Sequence, residues 1–373
     1  MTANGTFSEN ALLEWAVAWL RDRLPEDWTV GMSPRTLDSA DTSGRDRAIE
    51  VRAPNSYATI AVEAKRALAP RDVVRLLGGV GRTLRALNPN VPILVVAPWL
   101  SERTRELLVL EGLNYLDQTG NARIRLQNPP VFVETVGARR DPSPPRRPKA
   151  RVRGPKAARL IRTLVDTRPP YGVRQLAEAS ALAPGYVSRL LDALDEDALL
   201  ERSRRGRVED VDVSALLRRW AESYDVFRAN ATTPFLAPRG AQAALVELAA
   251  REEGGRVAVT GSFAAVRFAP VAAPATLAVY CEDPGALGRA LGFLPTDQGA
   301  NVALLTPFDP VVWQRTEQQD AVLYVAPAQA AVDCLTGNGR MPAEGEALVA
   351  WMVENEPMWR RDSLADAAGR TAA

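Results

Sequence analysis

Histidine is absent from the 373-residue sequence, and its only cysteines are Cys281 and Cys334. The lack of histidine excludes serine and cysteine mechanisms that use a histidine base, and it excludes histidine-ligated metal sites. Two cysteines are too few for a disulfide framework or a zinc site, so we expect both to be small core residues. Any catalysis must therefore use carboxylates, lysine, serine or tyrosine.

Long apolar runs are also absent. No stretch of about 18 uncharged apolar residues occurs, which predicts no membrane span. The first residues lack the basic start and apolar core of a secretory signal, so we expect a cytoplasmic protein. The 46 basic and 45 acidic residues give a net charge of only +1. A local basic patch, rather than the whole surface, is therefore the candidate for nucleic-acid contact.

The hydrophobic patterns predict an α/β protein with several domains. Residues 1–136 alternate helix and strand patterns, and residues 137–154 form a linker rich in arginine and proline. Residues 155–230 are mainly helical, and residues 239–373 alternate helix and strand again. A proline-containing loop is expected at Thr232 to Pro238, between the last two segments.

The segment from Pro155 to about Asp212 predicts three helices followed by a hairpin. Apolar residues recur at helical spacing in PKAARLIRTLVDTRP, which Pro169 and Pro170 stop, and in VRQLAEASAL and YVSRLLDALDEDALL. The residues from Leu199 to Val211 then read as two short strands around an arginine-rich tip. This pattern resembles the winged helix-turn-helix transcription factors of the MarR and IclR type. The alternative is a helical core with a solvated loop that contacts only protein.

In such factors the third helix reads DNA in a groove and the hairpin contacts the backbone. The resemblance therefore implies groove contacts from Tyr186, Ser188 and Arg189, and wing contacts from Arg202, Arg204, Arg205 and Arg207. A helix follows in VSALLRRWAESYDVFRAN; it either packs on this segment or pairs two subunits. Winged helices usually bind two DNA half-sites that are related by a two-fold axis, so we expect a homodimer.

The linker places many cations beside this motif. Its charged residues include Arg146, Arg147, Lys149, Arg151 and Arg153, and its prolines favour an extended chain. We expect it to follow the phosphate backbone or a minor groove. The alternative is a solvated spacer.

The first segment contains a possible catalytic motif. Glu63 and Lys65 end a predicted strand on one sheet face, and Asp46 opens the preceding strand. Lysine is rare here, since Lys65, Lys149 and Lys156 are the only three. The arrangement resembles the PD-(D/E)xK restriction-endonuclease-like superfamily.

That resemblance implies Mg²⁺ or Mn²⁺ held by Asp46 and Glu63, with Glu14 as a further ligand, and Lys65 assisting the attacking water. Asp41 and Glu50 compete with Asp46 for the position of the aspartate. The alternative is an inert fold in which Glu63 and Lys65 form a structural ion pair.

Two further patterns complete the sequence. The segment YLDQTGN resembles a similar motif in actinobacterial proteins that join a nuclease-like domain to a winged helix; its Gly120 and Asn121 alternatively serve only as turn residues. Gly261 and Ser262 follow a predicted strand and resemble the GS motif of nucleotidyltransferases. The next strand lacks paired acids, so we expect no nucleotidyl transfer, and Ser262 alternatively caps the following helix.

Taken together, residues 155–356 resemble the AbiEi antitoxin family of transcriptional regulators. The resemblance implies a degenerate nucleotidyltransferase-like domain behind the winged helix, and a nucleoid-associated regulator of double-stranded DNA. The second prediction is a metal-dependent DNA endonuclease targeted by the winged helix. A third is a non-catalytic interaction protein with a ligand pocket in the C-terminal domain.

Overall fold

The computed structural model describes residues 9–33, 47–78, 91–143, 152–251 and 255–364. Over these residues the chain is a mixed α/β protein with 14 helices and two large sheets of seven strands each. It forms two compact units. The first is built from the described residues between 9 and 143 together with residues 196–198, and the second from the described residues between 152 and 195 and between 199 and 364.

The sheet of the first unit keeps its strands in chain order. The strands are β1 (Thr29–Met32), β2 (Arg47–Ala53), β3 (Ser56–Ala64), β4 (Ile93–Ala97), β5 (Asn114–Asp117), β6 (Ala122–Leu126) and β7 (Val131–Thr135). The central strands β3, β4 and β5 are parallel, whereas the outer pairings are antiparallel. The parallel connections place helices against the sheet, as such crossovers require.

Helices cover both faces of this sheet. They are α1 (Glu9–Arg21), α2 (Pro70–Gly78) and α3 (Glu102–Leu110). The apolar stripe of α1 packs on the face that carries Ile60, Leu94 and Leu116. The opposite face carries Val95 and Tyr115 and forms a second core with residues of α2 and α3. Successive side chains of β3 point to opposite faces of the sheet, so their positions along the strand determine which of the two cores each one packs into.

The strand β5 was not predicted from the sequence. Its four residues are all buried, and β5 lies beside β4 in parallel register. The pattern Asn-Tyr-Leu-Asp mixes polar and apolar residues because its polar side chains are satisfied inside the protein. A local periodicity argument does not detect such a strand.

The second unit is built around a mixed sheet. In chain order its strands are β10 (Ala231–Leu236), β11 (Val257–Thr260), β12 (Leu277–Cys281), β13 (Leu294–Pro295), β14 (Val302–Thr306), β15 (Glu317–Gln319) and β16 (Val322–Tyr324). Their spatial order is β13-β10-β14-β12-β11-β16-β15. The buried strands β12 and β14 are parallel neighbours at its centre.

The loop expected at Thr232 to Pro238 is wrong over most of its length, because β10 occupies residues 231–236. Pro234 lies inside this strand, opposite Ala303 of β14. Proline removes a backbone donor, so it is tolerated only where that donor is not needed. Here β13 pairs with β10 only at Phe235 and Leu236, which leaves the outer edge beside Pro234 largely free of ladder pairing.

The helices of the second unit precede, interrupt and follow its sheet. They are α4 (Pro155–Asp166), α5 (Val173–Ala179), α6 (Pro184–Glu196), α7 (Val213–Ala221), α8 (Val226–Ala229), α9 (Ala241–Ala249), α10 (Ser262–Ala265), α11 (Pro284–Ala290), α12 (Pro327–Leu335), α13 (Met341–Glu354) and α14 (Glu356–Trp359). A hairpin of β8 (Leu200–Arg202) and β9 (Val208–Val211) follows α6. One continuous hydrophobic core joins these helices to the sheet.

Helix α7 contributes to this core. Its Leu216, Leu217 and Trp220 are buried, and the helix lies against α4, α12 and α13. Of the two roles predicted for this helix, packing within the subunit is the one that the structure shows. Its apolar side is therefore not available to pair two subunits.

One buried and one partly exposed arginine anchor α4 to the elements near the sheet. Arg162 is fully buried; it donates to the Asp166 carboxylate at 2.9 Å and to Gln329 Oε1 at 3.0 Å. Arg159 forms a two-pronged ion pair with Asp309, with a shortest N–O distance of 2.8 Å. A buried guanidinium is tolerated only when such partners replace water. The position of α4 relative to the sheet is thereby fixed.

None of the helices in the described ranges combines the length and the apolar character needed to cross a bilayer.

Replacing Arg162 tests this anchoring. Arg162→Ala removes the hydrogen bonds to the Gln329 side chain and to the buried Asp166 carboxylate, which keeps only the more distant Arg315 at 3.8 Å. We therefore expect the free energy of unfolding to fall by about 3–5 kcal/mol. Urea unfolding followed by circular dichroism measures the change. Arg174→Ala, which removes an exposed arginine of α5, is the matched control and is expected to change stability by about 0.5 kcal/mol at most. A loss below about 1 kcal/mol for Arg162→Ala would contradict the anchoring role.

Candidate nucleic-acid interface

The helices α4, α5 and α6 and the hairpin form a small three-dimensional motif. Helix α6 buries Val187, Leu190, Leu191 and Leu194 against the other two helices, as its apolar spacing predicts. Tyr171, between α4 and α5, exchanges backbone hydrogen bonds with Val208 at 3.0 and 3.2 Å. This bridge joins the hairpin to the segment between the first two helices.

The turn from α5 to α6 is compact. Ala181 has a φ of 52°, and the Leu182 N–H donates to the Ala177 carbonyl at 2.9 Å. Pro184 then occupies the first turn of α6, where its missing N–H costs nothing. The turn fixes the angle between α5 and α6 and hence the direction in which α6 projects.

The first half of α6 exposes one cation. Arg189 is exposed, whereas Tyr186 and Ser188 are partly buried. Burial raises the pKa of Tyr186, although the nearby Arg189 charge opposes this shift. The Tyr186 hydroxyl and the Arg189 guanidinium remain accessible enough to form hydrogen bonds at the surface. The later half of α6 is acidic from Asp192 onward, so its positive character is confined to the beginning.

The hairpin tip divides its arginines into two roles. Arg202 is mostly buried; it pairs with Asp192 of α6 at 2.5 Å and donates to the Gly206 carbonyl at 3.2 Å. Gly206 adopts a φ of +79°, which a glycine tolerates readily. Arg204 and Arg205 are exposed at the turn. Arg202 thus braces the hairpin against α6 while its neighbours project from it.

Arg207 and Arg153 lie at the margins of this motif. Arg207 is exposed, and its guanidinium lies 3.5 Å from the Pro170 carbonyl. Arg153 is exposed immediately before α4, next to the buried Val152, whose carbonyl accepts a hydrogen bond from Ser223. The end of the linker is therefore fastened to the second unit. Four further linker cations lie outside the described residues: Arg146, Arg147, Lys149 and Arg151.

The candidate catalytic residues Glu63 and Lys65 of the first unit form a close ion pair. Lys65 Nζ lies 2.5 Å from Glu63 Oε1, and both side chains are more than one third exposed. The hydrogen bond with Glu63 is the largest cause that raises the Lys65 pKa, and it outweighs the lowering effect of desolvation. The charge of Glu63, and to a smaller extent the charges of Glu9 and Asp72, raise the pKa further. Lys65 is consequently held in its protonated form. Glu9 and Asp72 were not singled out in the sequence, because their approach to Lys65 depends on the fold.

The other predicted ligands are placed differently. Glu14 is exposed on α1, which packs on the sheet face opposite to that of Glu63. Glu50 accepts a hydrogen bond from Arg52 at 2.9 Å. Asp46 and Asp41 lie outside the described residues. Within the part of the chain that the structure describes, no three acidic or cysteine side chains are grouped to hold a metal ion.

The YLDQTGN segment is held together by a buried carboxylate. Asp117 is fully buried and accepts hydrogen bonds from the Leu100, Thr119 and Asn121 backbone and from the Thr119 and Asn121 side chains. Asn121 in turn binds the backbone of residues 137 and 138 at 2.9 and 3.2 Å. The motif is thus more than a turn, because it fixes the chain after β7. A side chain at Gly137 would overlap the Thr119 carbonyl, since its Cβ would lie only 2.2 Å from that oxygen.

The Gly261-Ser262 motif is buried. Gly261 has a φ of +64° and begins α10 after β11. The Ser262 hydroxyl forms a close hydrogen bond with the Glu344 carboxylate and does not cap α10, so the capping prediction is wrong. All five residues of β12 are buried and none is acidic. Asp283, just beyond β12, caps α11.

A buried carboxylate that sequence reasoning missed lies at the centre of the second unit. Asp333 accepts hydrogen bonds from Thr260, Tyr280, Tyr224 and Gln329 at 2.6–2.9 Å. Burial raises its pKa to about 6 despite these four donors. Gln329 also accepts from Arg162, so the network reaches α4. The sequence signal that could have revealed this group is a single acidic residue in the mostly apolar stretch QAAVDCL.

Comparison with known proteins yields no match: no family model matches the sequence, and no curated protein or solved structure matches it significantly. The function is therefore argued from the residues themselves.

The raised pKa of Asp333 predicts an unusual pH dependence of stability. Its folded pKa of about 6 exceeds the ordinary 3.8, so the folded state binds the proton more tightly. The stabilising contribution is complete below pH 3.8 and is lost as the pH rises towards 6; it amounts to roughly 3 kcal/mol. We expect the unfolding free energy of the wild type relative to Asp333→Asn to increase as the pH falls from 7 to 4, by about this amount. A pH-independent difference in urea unfolding would contradict the assignment.

Proposed function

We propose that the protein is a transcriptional regulator that binds double-stranded DNA through a winged helix-turn-helix formed by α4, α5, α6 and the β8–β9 hairpin. The order of helix, bridge, helix, helix and hairpin supports this proposal, because a winged helix uses the same order. Tyr171 supplies the bridge that attaches the wing to the helices. In this proposal α6 is the recognition helix.

The observation that carries the proposal is the exposed cation set on α6 and the hairpin tip. Arg189, Arg204 and Arg205 are exposed, and Arg202 braces the tip through Asp192. A braced tip presents its two arginines with less loss of conformational freedom on binding. Arg189 supplies donors suited to base edges or phosphates, and the tip arginines supply backbone contacts.

The acidic residues of the segment restrict how DNA approaches. Glu201, Glu209 and Asp210 are exposed along the hairpin strands, away from the tip turn. A phosphate backbone is repelled by these side chains and attracted by the tip, so contact at the tip is favoured. The basic linker, which ends at the exposed Arg153, adds sequence-independent affinity in this proposal.

The same proposal also covers the first unit and the sheet of the second unit. The first unit corresponds to a restriction-endonuclease-like domain, and the sheet of the second unit corresponds to a degenerate nucleotidyltransferase-like domain of the AbiEi kind. Strand β12 carries no acidic residues, so it cannot bind the metal ions that nucleotide transfer requires. This absence supports a degenerate domain. A homodimer that reads two half-sites and associates with the cytoplasmic nucleoid completes the proposal.

Removing the two tip arginines tests the proposal. Arg204→Ala with Arg205→Ala is expected to weaken binding to a 30-base-pair duplex roughly 10- to 100-fold at 0.1 M salt, and to reduce the salt-dependence slope by about 2. Fluorescence anisotropy of a labelled duplex measures both quantities.

The matched control is Arg289→Ala with Arg340→Ala, which removes two exposed arginines elsewhere in the second unit. This variant loses the same total charge, and we expect it to bind the duplex like the wild type. Equal affinities for both double variants would contradict contact at the wing.

A second candidate function is a metal-dependent DNA endonuclease. The position of Glu63 and Lys65, both partly exposed at the carboxyl end of strand β3, which pairs in parallel with β4, favours it. The closed ion pair disfavours it, because Glu63 is engaged by Lys65 and the described residues do not form a metal site. This candidate therefore depends on Asp46 and on opening of the pair.

Cleavage of supercoiled plasmid in Mg²⁺ or Mn²⁺ tests this candidate. The proposed regulator leaves the plasmid intact, as do Glu63→Ala and Lys65→Ala, and all three bind DNA equally. Cleavage that requires the metal and disappears in both variants would establish the endonuclease. Agarose-gel electrophoresis of the plasmid forms gives the readout, with Glu14→Ala as a control for the exposed acid on α1.

A further inference from the structure

Strand β7 closes one side of the first sheet. Among the described strands it pairs only with β6, so its outer edge has no strand neighbour. The free N–H and C=O groups of an edge strand can bind another extended chain. Natural edges are usually blocked by covering elements or by unfavourable residues. The residues beside β7 show which partner this edge suits.

One face of this edge carries exposed apolar side chains. Phe132 is 64% exposed, and Val136, just beyond the strand, is 77% exposed. Phe132 lies opposite Arg125 of β6 and lines an open cleft of about 480 Å³ together with Leu126, Pro130 and Val131. A large aromatic side chain with this much exposed area gains from being covered.

Charges of opposite sign lie on the same face. Arg125 is exposed on β6, and Glu134 is exposed on β7, two residues from Phe132. Within the described ranges neither side chain forms an ion pair. On β6 of the same chain, Arg123 lies opposite Glu134, whereas Arg125 lies opposite Phe132. A partner that offers a carboxylate to Arg125 therefore complements this edge, and Glu134 of a second copy is such a group.

We propose that β7 pairs with β7 of a second copy of this chain, antiparallel and about a two-fold axis at Val133. This register places Phe132 opposite Glu134 of the partner subunit. The partner's carboxylate then lies beside the aromatic ring and within reach of Arg125 on the next strand. By symmetry the contact forms twice.

Neighbouring registers suit the charges less well. A two-fold axis at Glu134 would place two carboxylates directly opposite each other, which destabilises a strand pair. The axis at Val133 avoids this repulsion and covers Phe132 in both copies. Of these two registers, the charge pattern therefore favours the axis at Val133.

The contact is small. Two five-residue strands and their flanking side chains lie at the low end of specific interfaces, so we expect a dissociation constant on the order of micromolar. The inference does not depend on DNA binding, because it is based on the edge of the first unit alone. It supplies a surface for the homodimer of the proposed regulator.

Sedimentation velocity of the full chain without DNA tests the inference through a charge exchange. The wild type is expected to dimerise between about 1 and 200 µM, and Glu134→Arg or Arg125→Glu to weaken dimerisation about tenfold or more. The double variant that carries both changes restores the opposite charges across the axis, so it is expected to regain dimerisation. Circular dichroism and thermal melting verify that each variant folds.

Three results would overturn the inference: a monomeric wild type up to about 200 µM, a dimer that both single variants leave unchanged, or a double variant that stays as weak as the single ones. Anisotropy with the duplex is measured separately on the same proteins. A regulator that binds DNA as a monomer would thus leave the proposed function intact while removing this interface.

Discussion

The second unit depends on two buried charged groups that cannot reach water. Asp333 needs four donors and Arg162 needs carbonyl and carboxylate oxygens, and Gln329 is bonded to both. These groups come from the helices α4 and α12, so the helices must keep one relative position to satisfy them. The winged segment is therefore held against the sheet by hydrogen bonds as well as by apolar packing.

This constraint has a consequence for DNA recognition. Helix α4 supports α5 and α6 through a shared core, and Tyr171 ties the wing to the same segment. Because α4 is anchored to elements near the sheet, the proposed recognition helix α6 and the proposed wing are held in a fixed position within the second unit. The Asp333 network reaches α4 through Gln329, which is bonded to both Asp333 and Arg162.

Patterns that depend on local spacing were predictable. The three helices α4, α5 and α6 followed from apolar periodicity and Pro184, and the basic tip followed from composition. Each helix ends a few residues earlier than its apolar pattern predicted. The strands β5 and β10 could not be predicted from the sequence, because their pairing partners are distant in sequence and β10 contains a proline. The role of Arg202 also escaped prediction, since its partner Asp192 is ten residues away on another element.

At the candidate site of the first unit, too, the sequence predicted the positions of side chains but not the contacts between them. The period of two correctly placed Glu63 beside Lys65, but it could not show that the two groups bind each other or that Glu9 and Asp72 act on the same lysine. Likewise, the Gly-Asn turn was visible in the sequence, whereas the carboxylate of Asp117 that organises it became apparent only in three dimensions. Buried polar groups are specified by partners that local patterns do not reveal.

Hydrogen–deuterium exchange of the full chain, with and without a saturating duplex, tests the central claim most directly. The account predicts new protection in the first half of α6 and at the hairpin tip, residues 184–192 and 202–208, and little change in β12 or α12. Protection confined to the first unit, or no protection in α6 and the tip while the duplex is bound, would contradict a winged helix that binds DNA.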